Sequence, residues 1–186
     1  MTRPRSSLVS VHDTPYYHCI NRCVRRAWLC GEDPLTGKSF EHRKPWMLTR
    51  LKLLTEVFAI DLCAYALMSN HYNLVVRLDP HRATTWSRQE VMERWTRLFK
   101  GPDFMQRALQ GEFLHPEEAR AVETVTQKWR SRLSDLSWFM RCFNEPIARQ
   151  ANEEDDCKGR FWEGRFKSQA LLDEGALLTA MVYVDL

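Results

Sequence analysis

The sequence has no apolar run long enough to cross a membrane, which takes about 20 residues. Its first residues, MTRPRSS, also lack the apolar stretch of a secretory signal peptide. The first absence excludes a helical membrane protein, and the second argues against export. We therefore expect a cytoplasmic protein without a membrane partner.

Cysteine pairs of the C-x2-C kind are absent as well. In a cytosolic protein scattered thiols stay reduced, so no disulfide framework is expected. A zinc site near His18 remains an alternative, although the spacing lacks the second cysteine pair that structural zinc sites use. The six scattered cysteines are Cys19, Cys23, Cys30, Cys63, Cys142 and Cys157.

The charge is small but uneven, with a formal net value of +3 over 186 residues. Residues 1–60 carry ten Lys/Arg and five Asp/Glu, whereas residues 137–186 carry six and nine. A basic amino-terminal third is typical of a protein with an anionic partner, but a solvated surface of mixed charge explains it equally well. The length suits one domain with a sizeable core.

The most informative stretch is DLCAYALMSNHYNLVVRL, residues 61–78. Two apolar, β-prone runs, Leu62–Met68 and Tyr72–Leu78, flank a short polar break, which is typical of two antiparallel strands. His71 and Asn73 are two residues apart, so their side chains share one face of the second strand. This spacing is found in metal sites. The alternative is that His71 is a hydrogen-bonded structural residue beside the turn.

The remaining segments supply the other elements of an α+β fold. Their order, βαββαβ, is that of the ferredoxin-like split βαβ arrangement, a four-stranded antiparallel sheet with helices on one face. Residues 80–151 exceed one crossover, so we expect a helical insertion within a single domain spanning residues 1–186. The predicted elements are a strand over 16–24, a helix over Trp46–Ala59, the hairpin, helices over 79–151, a strand over 160–170 and a helix from Asp173.

Three local signals refine the helical stretch. Ser87 and Glu90 have the spacing of a capping box, which predicts a helix start. Pro146 lies inside an apolar helical stripe, so we expect a kink or a break there. The acidic run at residues 153–156 is predicted to be a solvated turn.

Aromatic and basic side chains alternate in RFWEGRFKSQA, residues 160–170. On a strand, this pattern spaces cations to meet phosphates and rings to stack on bases. A half-exposed strand with a basic stripe is an equally good interpretation. If DNA binds here, the predicted contacts are Arg22, Arg25, Arg26, Arg160, Trp162, Arg165 and Lys167.

Four segments, taken in order, carry a family resemblance: YHCINR at 17–22, YALMSNHYNL at 65–74, GRFWEGRFKS at 159–168 and YVDL at 183–186. Together they resemble the single-tyrosine HUH transposases, in the branch related to REP-associated tyrosine transposases. The match covers most of residues 15–78 and 136–186, and the middle of the chain is less distinctive.

The resemblance implies a ferredoxin-like core that acts on single-stranded DNA, often beside a hairpin. In this family a His-hydrophobic-His pair on a central strand binds Mg²⁺ or Mn²⁺, and a tyrosine on a carboxy-terminal helix attacks the phosphorus. The products are a 5′-phosphotyrosine link and a free 3′-OH, so strands can be rejoined. Dimers are common, so a homodimer is an expected assembly.

By position, His71 matches the first metal histidine, Tyr72 the hydrophobic residue and Tyr183 the nucleophile. Asn73 stands in place of the second metal histidine, and a neutral amide is a weaker ligand for softer divalent ions. Family members commonly carry Asn four residues after the tyrosine, here position 187, beyond Leu186. We therefore expect a truncated last helix and impaired or absent cleavage. Without the resemblance, Tyr183 would be read as a core residue.

Three functions are consistent with these features. The first is an enzyme that nicks and rejoins single-stranded DNA through Tyr183. The second is a protein of the same fold that has lost catalysis and still binds DNA hairpins. The third is a transposase remnant that folds poorly.

Overall fold

The computed structural model describes residues 9–24 and 27–185, and within them four strands form one antiparallel sheet. The strands are β1 (Tyr16–Arg22), β2 (Ile60–Leu67), β3 (His71–Leu78) and β4 (Lys167–Ala170), in the order β2-β3-β1-β4. The helices are α1 (Arg43–Val57), α2 (Pro80–Thr85), α3 (Arg88–Thr96), α4 (Asp103–Leu109), α5 (Pro116–Leu133), α6 (Leu136–Glu154) and α7 (Glu174–Asp185). The predicted α+β fold with a ferredoxin-like sheet is confirmed.

Alternation along the strands divides the sheet into two faces. Tyr72 and Leu74 of β3 point to one face, where they join the main core with α1 and α6. This is the pair of helices on one face that the split βαβ arrangement predicts. On the opposite face Val75 packs with Ala180 and Val184 of the last helix, α7. The two faces therefore carry different structures, a large core and a single helix.

The group of four helices from α2 to α5 lies between β3 and α6 in the described part of the chain. Its interior contains the stacked indoles of Trp95 and Trp129, whose ring centroids are 5.4 Å apart. Ser87 caps α3 as predicted, because its hydroxyl accepts from the backbone N–H of Glu90 at 3.1 Å. No helix in the described part of the chain is both long and apolar enough to span a bilayer.

Of the kink or break predicted at Pro146, the break is wrong, since α6 continues through this residue. A proline leaves the carbonyl four residues earlier without its helical donor, here that of Cys142. The Nε–H of Arg50 donates to this oxygen at 2.8 Å. A side chain from α1 thus replaces the lost backbone bond and keeps the helix intact.

The predicted strand over residues 160–170 is also too long, because only Lys167–Ala170 forms a strand and Trp162 makes a single isolated bridge with Cys23. Phe161 and Phe166 are both buried although they are five residues apart. Regular alternation would place them on opposite faces, so the chain must turn between them. The bend stays attached to the end of β1, since the N–H of Glu163 donates to the Arg22 carbonyl at 2.9 Å.

The acidic run at 153–156 is only partly the solvated turn that was predicted. Arg43, the first residue of α1, is 1% exposed. Its guanidinium donates to Glu154 at 3.0 Å and to Asp155 at 2.6 Å. A buried cation needs such partners, so this part of the acidic run holds the start of α1 against the end of α6.

Candidate functional site

His71 and Asn73 both lie on the sheet face that α7 covers. They alternate with Tyr72 along β3, whose side chain is buried on the other face. Tyr72 donates its hydroxyl to Oδ1 of Asn144 at 2.7 Å. The triplet at 71–73 therefore sends its two polar residues to one side and its aromatic residue to the core.

Strand β1 adds a second row of side chains to the same face. In the antiparallel register Arg22 lies opposite His71, Ile20 opposite Asn73, and His18 opposite Val75. Residues directly opposite each other point to the same side, so the α7 face carries a histidine from each central strand.

Asn73 contacts the second of these histidines. It is 1% exposed, and its Oδ1 lies 3.0 Å from Nε2 of His18. Its other amide atom, Nδ2, is buried without a hydrogen-bond partner. The Asn73 amide thus has a hydrogen-bond partner for Oδ1 and none for Nδ2–H. A buried donor without a partner costs free energy of folding.

His71 is half-buried beside the turn between β2 and β3. Its Nδ1 lies 2.7 Å from Oδ1 of Asn70, so Nδ1–H donates and Nε2 is left as a lone pair. Burial, aided by the nearby Arg22 guanidinium, lowers the pKa of His71. The residue therefore presents a neutral imidazole, the form that binds metals, and its other nitrogen is held in the manner usual for ligating histidines.

Tyr183 lies on α7, which packs on this face through Ala180 and Val184. Oδ1 of Asp173 accepts from the N–H of Ala176 at 2.7 Å in the first turn, and Val184 is buried in the last. Tyr183 is nevertheless 54% exposed. Its ring centroid lies 6.3 Å from that of His18, edge to face at 69°. The phenol therefore shares the sheet face with His71, Asn73 and His18.

His18 is the residue that sequence reasoning missed as a partner of this site. It appeared in the first family-like segment and as part of a zinc alternative, but no role at this face was assigned to it. The alternation of β1 could have shown that His18 and Arg22 point the same way; their juxtaposition with β3 depends on strand register. No group of three or more His, Cys, Asp or Glu side chains in the described residues could hold a metal, so the zinc set does not assemble there.

Three of the predicted DNA contacts line one depression of about 540 Å³: Arg22, Arg165 and Lys167. Lys167 pairs with Ile20, and Ile20 pairs with Asn73, so these residues form one row across the sheet. The depression thus borders the candidate site on its β4 side. All three cationic side chains are exposed.

The remaining predicted contacts are placed differently. Trp162 lines a neighbouring, mostly apolar cavity of about 300 Å³ that shares Arg165 with the basic depression. Its Nε1–H donates to the carbonyl of Asn144 at 3.0 Å, which fixes the indole. Arg160 lines a separate cavity with Lys158. Arg25 and Arg26 lie outside the described residues.

Comparisons with known proteins support the fold. No family model matches the chain, and no curated protein matches it in sequence. One similar solved structure is that of a REP-associated tyrosine transposase bound to a REP hairpin. It superposes with a TM-score of 0.50 at 12% identity, covering 99% of this chain and 70% of the other. The likeness establishes a shared fold with that transposase.

Proposed function

We propose that this protein is a transposase-like protein that binds single-stranded DNA next to a hairpin and cleaves it through Tyr183. The observation that carries the proposal is the position of the Tyr183 phenol. It is exposed, it contacts His18, and it lies over the face that holds His71 and Asn73. The fold shared with a hairpin-bound transposase supports the same assignment.

In the proposed reaction the phenol oxygen of Tyr183 attacks a DNA phosphorus. A phosphorus–oxygen bond to Tyr183 forms as the bond to the 3′ oxygen breaks, and the leaving oxygen takes the electron pair and then a proton. The phenol loses its own proton in the same exchange. The phosphodiester energy is kept in the 5′-phosphotyrosine, so a 3′-OH can later reverse the step and rejoin a strand.

The residues present fit a Mg²⁺ or Mn²⁺ ion at this face. Nε2 of His71 is available as a ligand because Nδ1 is engaged with Asn70. The amide of Asn73 could supply an oxygen, a ligand that both ions accept, once it turns so that Oδ1 no longer faces His18. A bound cation would neutralise charge on the phosphate oxygens during attack. Phosphate oxygens and water would complete the coordination, as is usual for Mg²⁺ sites with few protein ligands.

The DNA strand is proposed to approach from the β4 side. Arg22, Arg165 and Lys167 converge on one depression, where they can contact successive phosphates. The apolar cavity beside Trp162 adjoins this depression and can accept an unstacked base. Lys167, Ile20 and Asn73 lie side by side across the sheet, so the phosphate-binding depression is next to the candidate site.

A second function, hairpin binding without cleavage, is favoured by one observation. Asn73 is buried and already contacts His18, whereas an active cation site needs its oxygen. In that case the basic depression and the fold would be retained while strand transfer is lost. The third expectation, a remnant that folds poorly, predicts neither binding nor cleavage.

One experiment separates the three functions. A 3′-labelled single-stranded DNA with a hairpin is incubated with the protein and Mn²⁺, and covalent adducts, which keep the 3′ fragment, are resolved on a denaturing gel. An adduct that disappears in Tyr183→Phe supports cleavage. Salt-sensitive binding without an adduct supports the hairpin-binding function, because phosphate contacts weaken steeply with salt. The absence of both contradicts the proposal.

A further inference from the structure

Asn73 sits between two histidines, and its amide uses only one of its two ends. The end that faces His18 is held at 3.0 Å, with Nε2–H of His18 donating to Oδ1. The other end, Nδ2, is buried without a partner. Turning the amide by half a turn would exchange the two atoms and let Nδ2–H donate to an unprotonated Nε2 of His18. It would also leave Oδ1 as the open atom.

The two histidines are too far apart to bind one ion together. His71 lies opposite Arg22, whereas His18 lies opposite Val75, four residues further along β3. At about 3.3 Å per residue this separates them by about 13 Å along the strand direction. Asn73 lies halfway between these positions, so His18 can influence an ion at His71 only through the amide.

We propose that His18 is a positioning residue that orients Asn73 as a cation ligand, an inference that rests on the cation site of the proposed function. In the cation-bound state the amide is turned, so that Nε2 of His18 accepts from Nδ2–H and Oδ1 of Asn73 faces the ion that His71 would also bind. The arrangement gives every polar atom of the amide a partner. It also explains how an asparagine on β3 can serve where a second histidine is absent.

The proposed role matches the way His71 itself is held. Nδ1–H of His71 donates to Oδ1 of Asn70, which leaves Nε2 as the ligand atom. Ligand side chains in metal sites are usually fixed by such a neighbour on the side away from the ion. With His18 hydrogen-bonded to Asn73, both proposed ligands would be fixed by a neighbouring side chain, His71 by Asn70 and Asn73 by His18.

His18 also contacts the helix that carries the nucleophile. Its ring lies edge to face with Tyr183, with centroids 6.3 Å apart. A phenylalanine at position 18 would keep an aromatic ring beside Tyr183 and remove the hydrogen bond to Asn73. This substitution therefore separates the positioning role from simple packing.

The test measures Mn²⁺ binding by calorimetry and by the Mn²⁺ electron paramagnetic resonance signal, on the full chain without DNA. The Mn²⁺ binding that is lost in His71→Ala is assigned to this site. We expect His18→Phe to weaken that binding by about 10- to 100-fold, the usual effect of removing a residue that holds a ligand. His18→Gln keeps an acceptor, so it is expected to retain most of the affinity. Thermal melts establish that both variants are folded.

The outcomes separate this inference from the proposed function. Equal Mn²⁺ affinity in the unaltered protein and His18→Phe would overturn the positioning role while leaving the cation site in place. If His18→Phe does not fold, the inference is decided by His18→Asn, whose shorter side chain cannot reach Asn73 and should also lose affinity. If the unaltered protein shows no binding that depends on His71, the inference and the cation site fall together. Hairpin binding is measured separately, and its result does not depend on the outcome of the Mn²⁺ measurement.

Discussion

The guanidinium of Arg43, at the start of α1, lies 3.0 Å from the carboxylate of Glu154, at the end of α6. The same guanidinium donates to Asp155 and to the carbonyl oxygen of Trp28, each at 2.6 Å. The Phe40 ring lies 4.5 Å from its central carbon. One buried cation thus joins two core helices and the loop before them.

Replacing Arg43 should destabilise the protein strongly. Arg43→Met keeps the aliphatic volume but leaves the Glu154 and Asp155 carboxylates without their buried partner, which typically costs about 3–5 kcal/mol. The measurement is urea unfolding followed by far-ultraviolet circular dichroism. The matched control is Arg97→Met, which breaks an exposed pair with Glu56 and should cost about 0–1 kcal/mol. Similar losses in both variants would contradict the structural role of Arg43.

The same cluster should shape acid unfolding. Burial alone would raise the pKa of Glu154, but hydrogen bonds from His42 and Arg43 outweigh it and lower the pKa below the ordinary 4.5. The folded state therefore binds this proton less readily than the unfolded chain. The stabilising contribution of ionised Glu154 is fully present above pH 4.5 and is lost as the pH falls through the lowered pKa. In Glu154→Gln the free energy of unfolding should depend less steeply on pH in this window. An unchanged pH dependence would contradict the lowered pKa of Glu154.

The central hairpin is the part of the fold that the sequence predicted best. The expected runs Leu62–Met68 and Tyr72–Leu78 correspond to β2 (Ile60–Leu67) and β3 (His71–Leu78). Local information suffices here, because two β-prone runs around a polar turn have few other ways to pair. The strand over 160–170 was overpredicted because its bend depends on burying Phe166 against distant parts of the core.

The candidate site was predictable in part for the same reason. The shared face of His71 and Asn73 follows from their spacing on one strand. The contact between His18 and Asn73 spans 55 residues and depends on the register of β1 against β3. The buried pairing of Arg43 with Glu154 spans 111 residues and likewise could not be predicted from neighbouring residues in the sequence. Long-range register and ion pairing are set by the folded molecule, not by neighbouring residues.

The cysteines should differ sharply in reactivity. Burial raises the pKa of Cys23 to about 12 and that of Cys142 to about 11, whereas Cys157 is exposed. Because the thiolate is the reactive form, a thiol reagent at about pH 8 should label Cys157 first. Mass spectrometry after a short pulse should find Cys23 and Cys142 unlabelled until denaturant is added. The Cys157→Ser variant should lose the fast phase, and rapid labelling of Cys23 in the folded protein would contradict its burial.

Hairpin binding should depend on the basic depression. Arg165→Gln and Lys167→Gln each remove one cation from it, so each should lower the slope of log affinity against log salt by about 1. Fluorescence anisotropy between about 50 and 200 mM salt measures this slope. Arg97→Gln removes the same charge from the residue that follows α3 and should leave the slope unchanged. Equal slopes in all variants would place the DNA elsewhere.

Placing a histidine at position 73 should strengthen the proposed cation site and any cleavage that depends on it. Asn73→His places two imidazoles at i and i+2 on the same face of β3, and imidazole binds softer divalent ions more tightly than a neutral amide. This substitution is expected to increase the covalent DNA adduct formed with Mn²⁺. The double variant with Tyr183→Phe serves as the control, because it keeps the improved site and lacks the nucleophile. An adduct that does not rise in Asn73→His, or that persists without the Tyr183 phenol, would show that the residues over this sheet face do not perform the proposed strand cleavage.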